Sequence, residues 1–206
     1  MNAVISAKGL RPRNFQKKIP SVVIVALPIA VGIIFGCIIY FFSDQSVFDS
    51  LKTYFIKFST EFSDKNKSEI ISGLIVSYLP YVIIMLIFGA CAWGTAPVFI
   101  MSFLKSAGIG MTATYLYDVY ALKGIEYSLL VFYPGKIIAV FAMLALTHSC
   151  YSMSRNINML IKCKGEGAVS LDSYFMRTLL ISFIFVISSF VEFLTVTCFS
   201  SLFSFN

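Results

Sequence analysis

Five long apolar runs limit what this chain can fold into, because each is about long enough to cross a membrane. They cover residues 20–42, 70–93, 97–117, 125–151 and 178–203. A helix needs ~20 apolar residues to cross the ~30 Å hydrocarbon core of a bilayer. The runs also lack the alternating pattern and the ~10-residue length of membrane barrel strands. The sequence therefore predicts an all-α polytopic membrane protein, a bundle of five transmembrane helices in a single membrane domain over residues 1–206.

The composition excludes a soluble globular protein. Hydrophobic residues make up 58% of the chain and charged residues only 13%, whereas a soluble domain has about a quarter charged residues. Membrane lipid is therefore the expected surrounding. The first run is also longer than the apolar core of a cleaved signal peptide, so we expect it to remain as a membrane anchor.

The distribution of lysine and arginine predicts the orientation of the helices. A basic tail over residues 1–19 carries five of them, and the segment between the last two runs carries four more. The segments on the opposite face carry five, together with seven acidic residues. Because positively charged loops tend to stay inside, we expect a multi-pass protein of the cytoplasmic membrane with its N-terminus in and its C-terminus out. The same bias explains most of the net charge of +6, so that charge does not indicate nucleic acid as a partner.

An amphipathic segment lies between the first two runs. Within residues 46–62, a stripe formed by Phe48, Leu51, Phe55 and Phe58 recurs every three or four residues, as on one face of a helix. The segment is too short and too charged to cross a bilayer. We expect an external helix that either lies in the interface and caps the bundle or uses this stripe to bind a partner.

Small residues recur at four-residue spacing in two of the apolar runs. They are Gly32 and Gly36 in the first run, and Ser102, Ser106, Gly110 and Thr114 in the third. Small side chains let membrane helices approach closely and gain van der Waals contact. The pattern predicts a tight helix contact, which we expect within the bundle rather than between two copies.

The sequence lacks the common motifs of catalysis and metal binding. His148 is the single histidine, so a zinc-binding H-E-x-x-H motif is impossible, and no nucleophile elbow or phosphate-binding loop is found. The five cysteines are scattered without a C-x-x-C pair. We therefore expect a protein that is not an enzyme and that needs no metal or cofactor. His148 is interpreted as a polar residue at a helix interface.

Three ionisable residues, Lys105, Lys136 and Glu192, lie inside the apolar runs. At ~1.5 Å per residue, Lys136 lies about 16 Å from the outer boundary, and Lys105 and Glu192 lie about 12 Å and 21 Å from the inner one. A lone charge at the membrane centre costs about 2.5–3.5 kcal/mol on insertion scales. Either Lys136 snorkels to a membrane face, or Glu192 pairs with Lys136 or Lys105. We predict the pair, which would fix the packing of the last three helices.

The tripeptide Pro134-Gly135-Lys136 interrupts the fourth run. Proline has no N–H group, so it leaves a carbonyl of the preceding turn without its helical donor. In a membrane that carbonyl must find another donor. We expect the ammonium of Lys136, or a water molecule beside it, to satisfy one of these carbonyls.

The stretch FLKSAGIGMTATYLYDVYALKGI over residues 103–125, followed by an apolar helix broken at Pro134, resembles the stage II sporulation protein M family. The order of features is similar over nearly the whole chain: a basic tail, one span, an external amphipathic stretch, and four spans with an acid late in the last. The family often has a second glycine four residues after Gly110, where this chain has Thr114. It often has a polar amide after the proline, where this chain has Gly135 and Lys136.

The resemblance implies a non-enzymatic membrane scaffold of the sporulation engulfment machinery. Members of the family hold two peptidoglycan-degrading partners, stage II sporulation proteins D and P, at the septal membrane. The alternative is a small-molecule or ion transporter or channel, because intramembrane charges and broken helices at Pro80 and Pro134 also mark substrate paths. Five spans allow no even inverted repeat, and the sequence contains no internal repeat. We therefore expect the scaffold.

Overall fold

The computed structural model describes residues 21–43, 67–162 and 171–199. In these ranges the secondary structure is helical and contains no strand, which confirms the all-α prediction. The basic tail (residues 1–19) and the predicted external helix (residues 46–62) lie outside the described residues. The stripe formed by Phe48, Leu51, Phe55 and Phe58 lies outside them as well.

Five α-helices and one π-helical turn make up the described part of the chain. They are α1 (Ser21–Phe42), α2 (Lys67–Gly89), α3 (Thr95–Tyr127), the π-helical turn (Ser128–Phe132), α4 (Tyr133–Lys162) and α5 (Leu171–Phe199). No loop separates α3, the π-helical turn and α4. A five-residue turn joins α2 to α3, with hydrogen bonds from the N–H of Cys91 to Phe88 O and from the N–H of Gly94 to Cys91 O.

The number of predicted spans does not match the structure. Four helical segments in the described ranges are long and apolar enough to cross a membrane, and they are Val22–Phe42, Ser72–Gly89, Thr95–Ile161 and Leu171–Phe199. The predicted third and fourth spans both lie inside the third segment. They are not separated by a loop, because the chain between residues 117 and 125 stays helical apart from one residue.

The long segment Thr95–Ile161 folds back on itself at Ala121. Ala121 has φ 47° and ψ −125°, the only non-helical backbone angles in α3. On either side of it the helices run antiparallel and in contact, with Ser102 Oγ 2.7 Å from Thr147 Oγ1 and Thr95 Oγ1 3.2 Å from Ser154 Oγ. A straight helix of this length would extend about 100 Å, three times the thickness of the hydrocarbon core. The reversal instead gives two antiparallel helical legs, each long enough to cross the hydrocarbon core.

Helix α1 packs along α3 and runs parallel to it. A Cβ atom added to Gly32 would lie 2.6 Å from Phe103 O, and near the far end of α1 the hydroxyl of Tyr40 donates a 2.8 Å hydrogen bond to Asp118 Oδ2. Contacts therefore advance in the same direction along both helices. Helix α2 runs in the opposite direction and brings the chain back to the face at which α3 begins, so this parallel arrangement is sterically simple.

The remaining helices alternate in direction. The hydroxyl of Tyr81 on α2 lies 3.4 Å from Ser102 Oγ on α3, and both residues are about two helical turns from the short α2–α3 turn, so these helices are antiparallel. Helices α4 and α5 are antiparallel as well, because Cys150 Sγ lies 3.4 Å from Tyr174 Oη at one end and Gly135 O accepts a hydrogen bond from Ser188 at the other.

The centre of the bundle combines apolar side chains with hydroxyl groups. Met85, Met143 and Leu146 are fully buried there. Ser102 and Thr147 are also fully buried, and each donates a hydrogen bond to a carbonyl of its own helix while contacting the other. The outer surface is largely apolar, as hydrocarbon requires of a protein that lies within it.

Candidate functional site

Lys136 and Glu192 form an ion pair between α4 and α5. Lys136 Nζ lies 2.8 Å from Glu192 Oε1 and 2.9 Å from Oε2, so both carboxylate oxygens face the ammonium. The Lys136 side chain is 19% exposed and that of Glu192 is 8% exposed, which places the pair inside the bundle. Of the two lysines considered from the sequence, the structure brings Lys136 to Glu192.

Tyr78 of α2 completes the surroundings of the ammonium. Lys136 Nζ donates a 3.2 Å hydrogen bond to the hydroxyl of Tyr78 and lies 5.4 Å from the centre of the Phe132 ring. Tyr78 is itself only 5% exposed and stacks on Phe185 of α5 with ring centres 5.2 Å apart. Three helices and the π-helical turn therefore meet at this lysine, and the aromatic rings replace water around the charge.

Gly135 allows α4 and α5 to approach at the level of the ion pair. A Cβ atom at this position would lie 2.8 Å from Glu192 Cβ and 3.2 Å from Glu192 Cα, closer than ordinary van der Waals contact. Glycine is therefore the residue that fits beside Glu192. The tripeptide has a division of tasks: Pro134 follows the π-helical turn, Gly135 admits the neighbouring helix, and Lys136 supplies the charge.

Hydroxyl groups of α5 bind the carbonyls around Pro134. Ser188 Oγ donates a 2.8 Å hydrogen bond to Gly135 O, and Thr195 Oγ1 donates a 3.0 Å hydrogen bond to Val131 O. The expectation that the Lys136 ammonium would bind such a carbonyl is wrong, because its hydrogen bonds go to the side chains of Tyr78 and Glu192. A π-helical turn and a proline disturb the regular hydrogen-bond ladder, and a neighbouring helix compensates.

Lys105 lies close to the ion pair without joining it. Its ammonium donates a 3.3 Å hydrogen bond to Ser77 O and sits 5.0 Å from the centre of the Tyr78 ring. Within the described ranges, Lys105 forms no ion pair with Glu192 or any other carboxylate. Both lysines therefore contact Tyr78, but only Lys136 is paired with a carboxylate among the described residues.

A cavity of about 370 Å³ contains all three charged groups. We call it the charged cavity. Its lining includes Tyr78 from α2, Lys105 and Thr112 from α3, Phe132 from the π-helical turn, Lys136 from α4 and Glu192 from α5. Two ammonium groups and one carboxylate give it a net charge of +1. The excess positive charge belongs to Lys105.

The predicted packing residues divide between two interfaces. Gly32 and Gly36 of α1 face Ser106 and Ala107 of α3, and a Cβ atom on Gly36 would lie 2.7 Å from the carbonyl carbon of Ala107. Gly110 faces the carbonyl of Ile33. These residues make the tight α1–α3 contact.

The other two members of the small-residue series have different surroundings. Ser102 points away from α1 and contacts Thr147 of α4 and Tyr81 of α2. The hydroxyl of Thr114 donates a 3.0 Å hydrogen bond to Gly110 O in its own helix. A four-residue spacing drifts around a helix of 3.6 residues per turn, so a long series cannot face one neighbour throughout.

Comparison with known proteins gives one match. The sequence model of a protein family described as stage II sporulation protein M matches residues 23–196. The chain belongs to this family. No curated protein and no solved structure matches the chain significantly. The stage II sporulation protein M match extends from α1 almost to the end of α5 and includes Lys105, Lys136 and Glu192, so the family region contains the entire charged cavity.

Family membership and the apolar helices together indicate a sporulation-related, multi-pass membrane protein. Sequence reasoning missed Tyr78, which contacts both lysines, and Ser188, which binds Gly135 O. A signal for Tyr78 was present, because a tyrosine buried among apolar residues usually finds a hydrogen-bond partner for its hydroxyl. Ser188 has no such signal, since a serine in a membrane helix commonly binds a carbonyl of its own helix.

Proposed function

We propose that this protein is a non-enzymatic membrane scaffold of the sporulation engulfment machinery. In this role it crosses the cytoplasmic membrane five times and holds peptidoglycan-degrading partners, stage II sporulation proteins D and P, at the septal membrane. The observation that carries the proposal is the family match over residues 23–196. The two partners are proposed because of the resemblance to that family.

The ion pair also supports a scaffold. Lys136 and Glu192 neutralise one another and are held by Tyr78 and Gly135, an arrangement that joins α2, α4 and α5. A buried pair can specify how helices pack even where it adds little net stability. A rigid bundle suits a protein that positions others.

The directions of the helices support five crossings. Helix α1 is parallel to the part of α3 before Ala121, while α2 is antiparallel to it, and α4 is antiparallel to both α3 and α5. Five legs that alternate in direction fit five crossings, with the long segment Thr95–Ile161 contributing two. Together with the basic tail, five crossings favour an N-terminus in the cytoplasm and a C-terminus outside.

Cysteine labelling tests the five crossings. In a cysteine-free variant, we expect Asn206→Cys to react with a membrane-impermeant maleimide in intact cells, because an odd number of crossings puts the two termini on opposite sides. Glu166→Cys is the matched control and should react only after the cells are opened. Labelling of both positions in intact cells, or of neither, would refute the proposed orientation.

The amphipathic segment provides a test of partner binding. We expect the double substitution Phe55→Ser and Phe58→Ser to reduce recovery of peptidoglycan hydrolases roughly tenfold, since two large buried contacts at an interface are worth at least 1.4 kcal/mol. Recovery is measured by affinity purification from sporulating cells. The control pair, Ile56→Ser and Lys57→Ser, changes the same segment away from the stripe and should retain recovery. Normal recovery with both phenylalanines replaced would favour a capping role for the segment.

A transporter or channel is the second candidate function, and the charged cavity favours it. A space of about 370 Å³ with two lysines and one glutamate is large enough for a small anion or a short-chain acid. A flux assay with the purified protein in sealed vesicles separates the two functions. Transport that is lost on Glu192→Gln or Lys136→Met would support the second candidate and count against the scaffold.

A further inference from the structure

Lys105 carries the unbalanced charge of the charged cavity. It lies ten residues after Thr95, the first residue of α3, which is about 15 Å along the helix axis. The ammonium turns toward Tyr78 and Ser77 O instead of toward a membrane face. A cation held at this depth without an anion is costly, so the site is electrostatically incomplete.

The surface of α3 beside Lys105 is open to a neighbour. A Cβ atom added to Gly108, one turn further along the same face, would meet no atom within 4 Å. Thr112 follows one turn later, and its hydroxyl donates a 2.8 Å hydrogen bond to Gly108 O. Leu104 next to Lys105 is 56% exposed. Lys105, Gly108 and Thr112 thus form a narrow track along α3 in which the small glycine lets a second helix pack closely.

We propose that this track is a docking site for a transmembrane helix of a partner protein, and that the helix carries an aspartate or glutamate at mid-membrane that pairs with Lys105. The proposal rests on the scaffold function in one respect, because it requires a membrane protein as partner. It adds where that partner binds and which chemical group recognises it. Tyr78 positions the lysine, and Gly108 allows the close approach.

Charge and depth select this occupant over the others. Phospholipid phosphates lie at the membrane surface, whereas Lys105 lies near the middle of its helix. A second copy of this chain does not supply the carboxylate from its described residues. Apart from Glu192, which is already paired, their acidic residues lie near helix ends, at Glu69 and Asp172, or beside the reversal at Ala121, at Asp118 and Glu126. A partner helix with its own mid-membrane acid provides the missing charge.

Synthetic transmembrane peptides test the proposal directly. The full chain, labelled with a fluorescent donor, is reconstituted in phosphatidylcholine vesicles with acceptor-labelled leucine-alanine peptides of 23 residues, a length that spans ~30 Å. The central residue of the peptide is aspartate, leucine or lysine. We expect the aspartate peptide to associate roughly tenfold more tightly than the leucine peptide, and the lysine peptide to associate least.

Two substitutions show whether Lys105 is responsible. Lys105→Met should remove the advantage of the aspartate peptide, and Lys105→Arg should retain most of it, because arginine keeps the charge. The thermal unfolding of each variant is measured in parallel, so a folding defect is recognised. Gly108→Leu should weaken association of the aspartate peptide while leaving Lys105 in place.

Several results would overturn the docking site. Equal association of the aspartate and leucine peptides would do so, as would an advantage that survives Lys105→Met in a folded variant. A third is Lys105-dependent enrichment of headgroup-labelled phosphatidylglycerol that the aspartate peptide does not displace, which would make a lipid the occupant. None of these results bears on the recovery of hydrolases through the Phe55 and Phe58 stripe. Failure here and failure of the scaffold function are therefore distinguishable.

Discussion

Replacing Glu192 by glutamine is expected to lower the free energy of unfolding by about 3 kcal/mol and to reduce the amount of protein in the membrane. The substitution leaves Lys136 inside the bundle without its counter-ion, although the side chains differ little in shape. Removing one partner of a buried ion pair commonly costs about 3–5 kcal/mol. Reversible unfolding in mixed micelles measures the loss, and immunoblotting of membranes measures abundance.

A second substitution distinguishes lost pairing from general damage. Adding Lys136→Met to Glu192→Gln should restore part of the stability, because a neutral pair has no unbalanced charge, with a coupling energy of about 0.5–3 kcal/mol. Adding Lys105→Met should restore less, since Lys105 bonds Ser77 O and not the carboxylate. Strictly additive losses in both double variants would contradict the assigned pair.

Replacing Gly36 by alanine is expected to separate α1 from α3 and to destabilise the bundle by about 1–3 kcal/mol. The added methyl group would collide with the carbonyl oxygen of Ala107 and would lie 2.7 Å from its carbonyl carbon. Both are backbone atoms, so no side chain can rotate away and one helix has to move. Thermal unfolding in detergent and a crosslink between cysteines placed on α1 and α3 would measure the effect.

Gly73 provides the matched control for this substitution. It is also a glycine in a membrane helix, but a Cβ atom at Gly73 would meet nothing within 4 Å. Gly73→Ala should leave stability unchanged or raise it by a few tenths of a kcal/mol, because alanine favours helix more than glycine does. If the two substitutions had equal effects, helix propensity rather than the α1–α3 contact would explain the result.

Much of the fold could be predicted because the lengths of the apolar runs and the distribution of basic residues can be read directly from the linear sequence. The reversal inside Thr95–Ile161 was not predictable in form, although two spans were expected there. It occurs at Ala121 with a positive φ, and alanine gives no indication of that conformation. Proline or glycine would have marked such a turn. The nearest glycine, Gly124, instead packs against the carbonyl of Leu116 after the chain has turned.

The membrane depth of the three charged residues could be predicted from the sequence, but not the direction in which their side chains face. The constant rise of a helix places Lys136, Lys105 and Glu192 at similar levels from sequence alone. Which lysine faces Glu192 depends on the rotation of α3 and α4 about their axes, and sequence depth contains no information on rotation. Gly135 sets that rotation for α4 by fitting against Glu192 Cβ. Its effect depends on a neighbour 57 positions away in the sequence, which no local pattern reveals.

The ion pair between α4 and α5 has a consequence for how the protein is made. Lys136 precedes Glu192 by 56 residues, so at translation rates of 5–20 residues per second it waits about 3–11 s for its counter-ion. During that interval the nascent chain carries an unneutralised ammonium in the membrane. A chain that stops before α5 keeps this charge unpaired permanently. Arrival of α5 therefore neutralises the charge that α4 brings into the membrane.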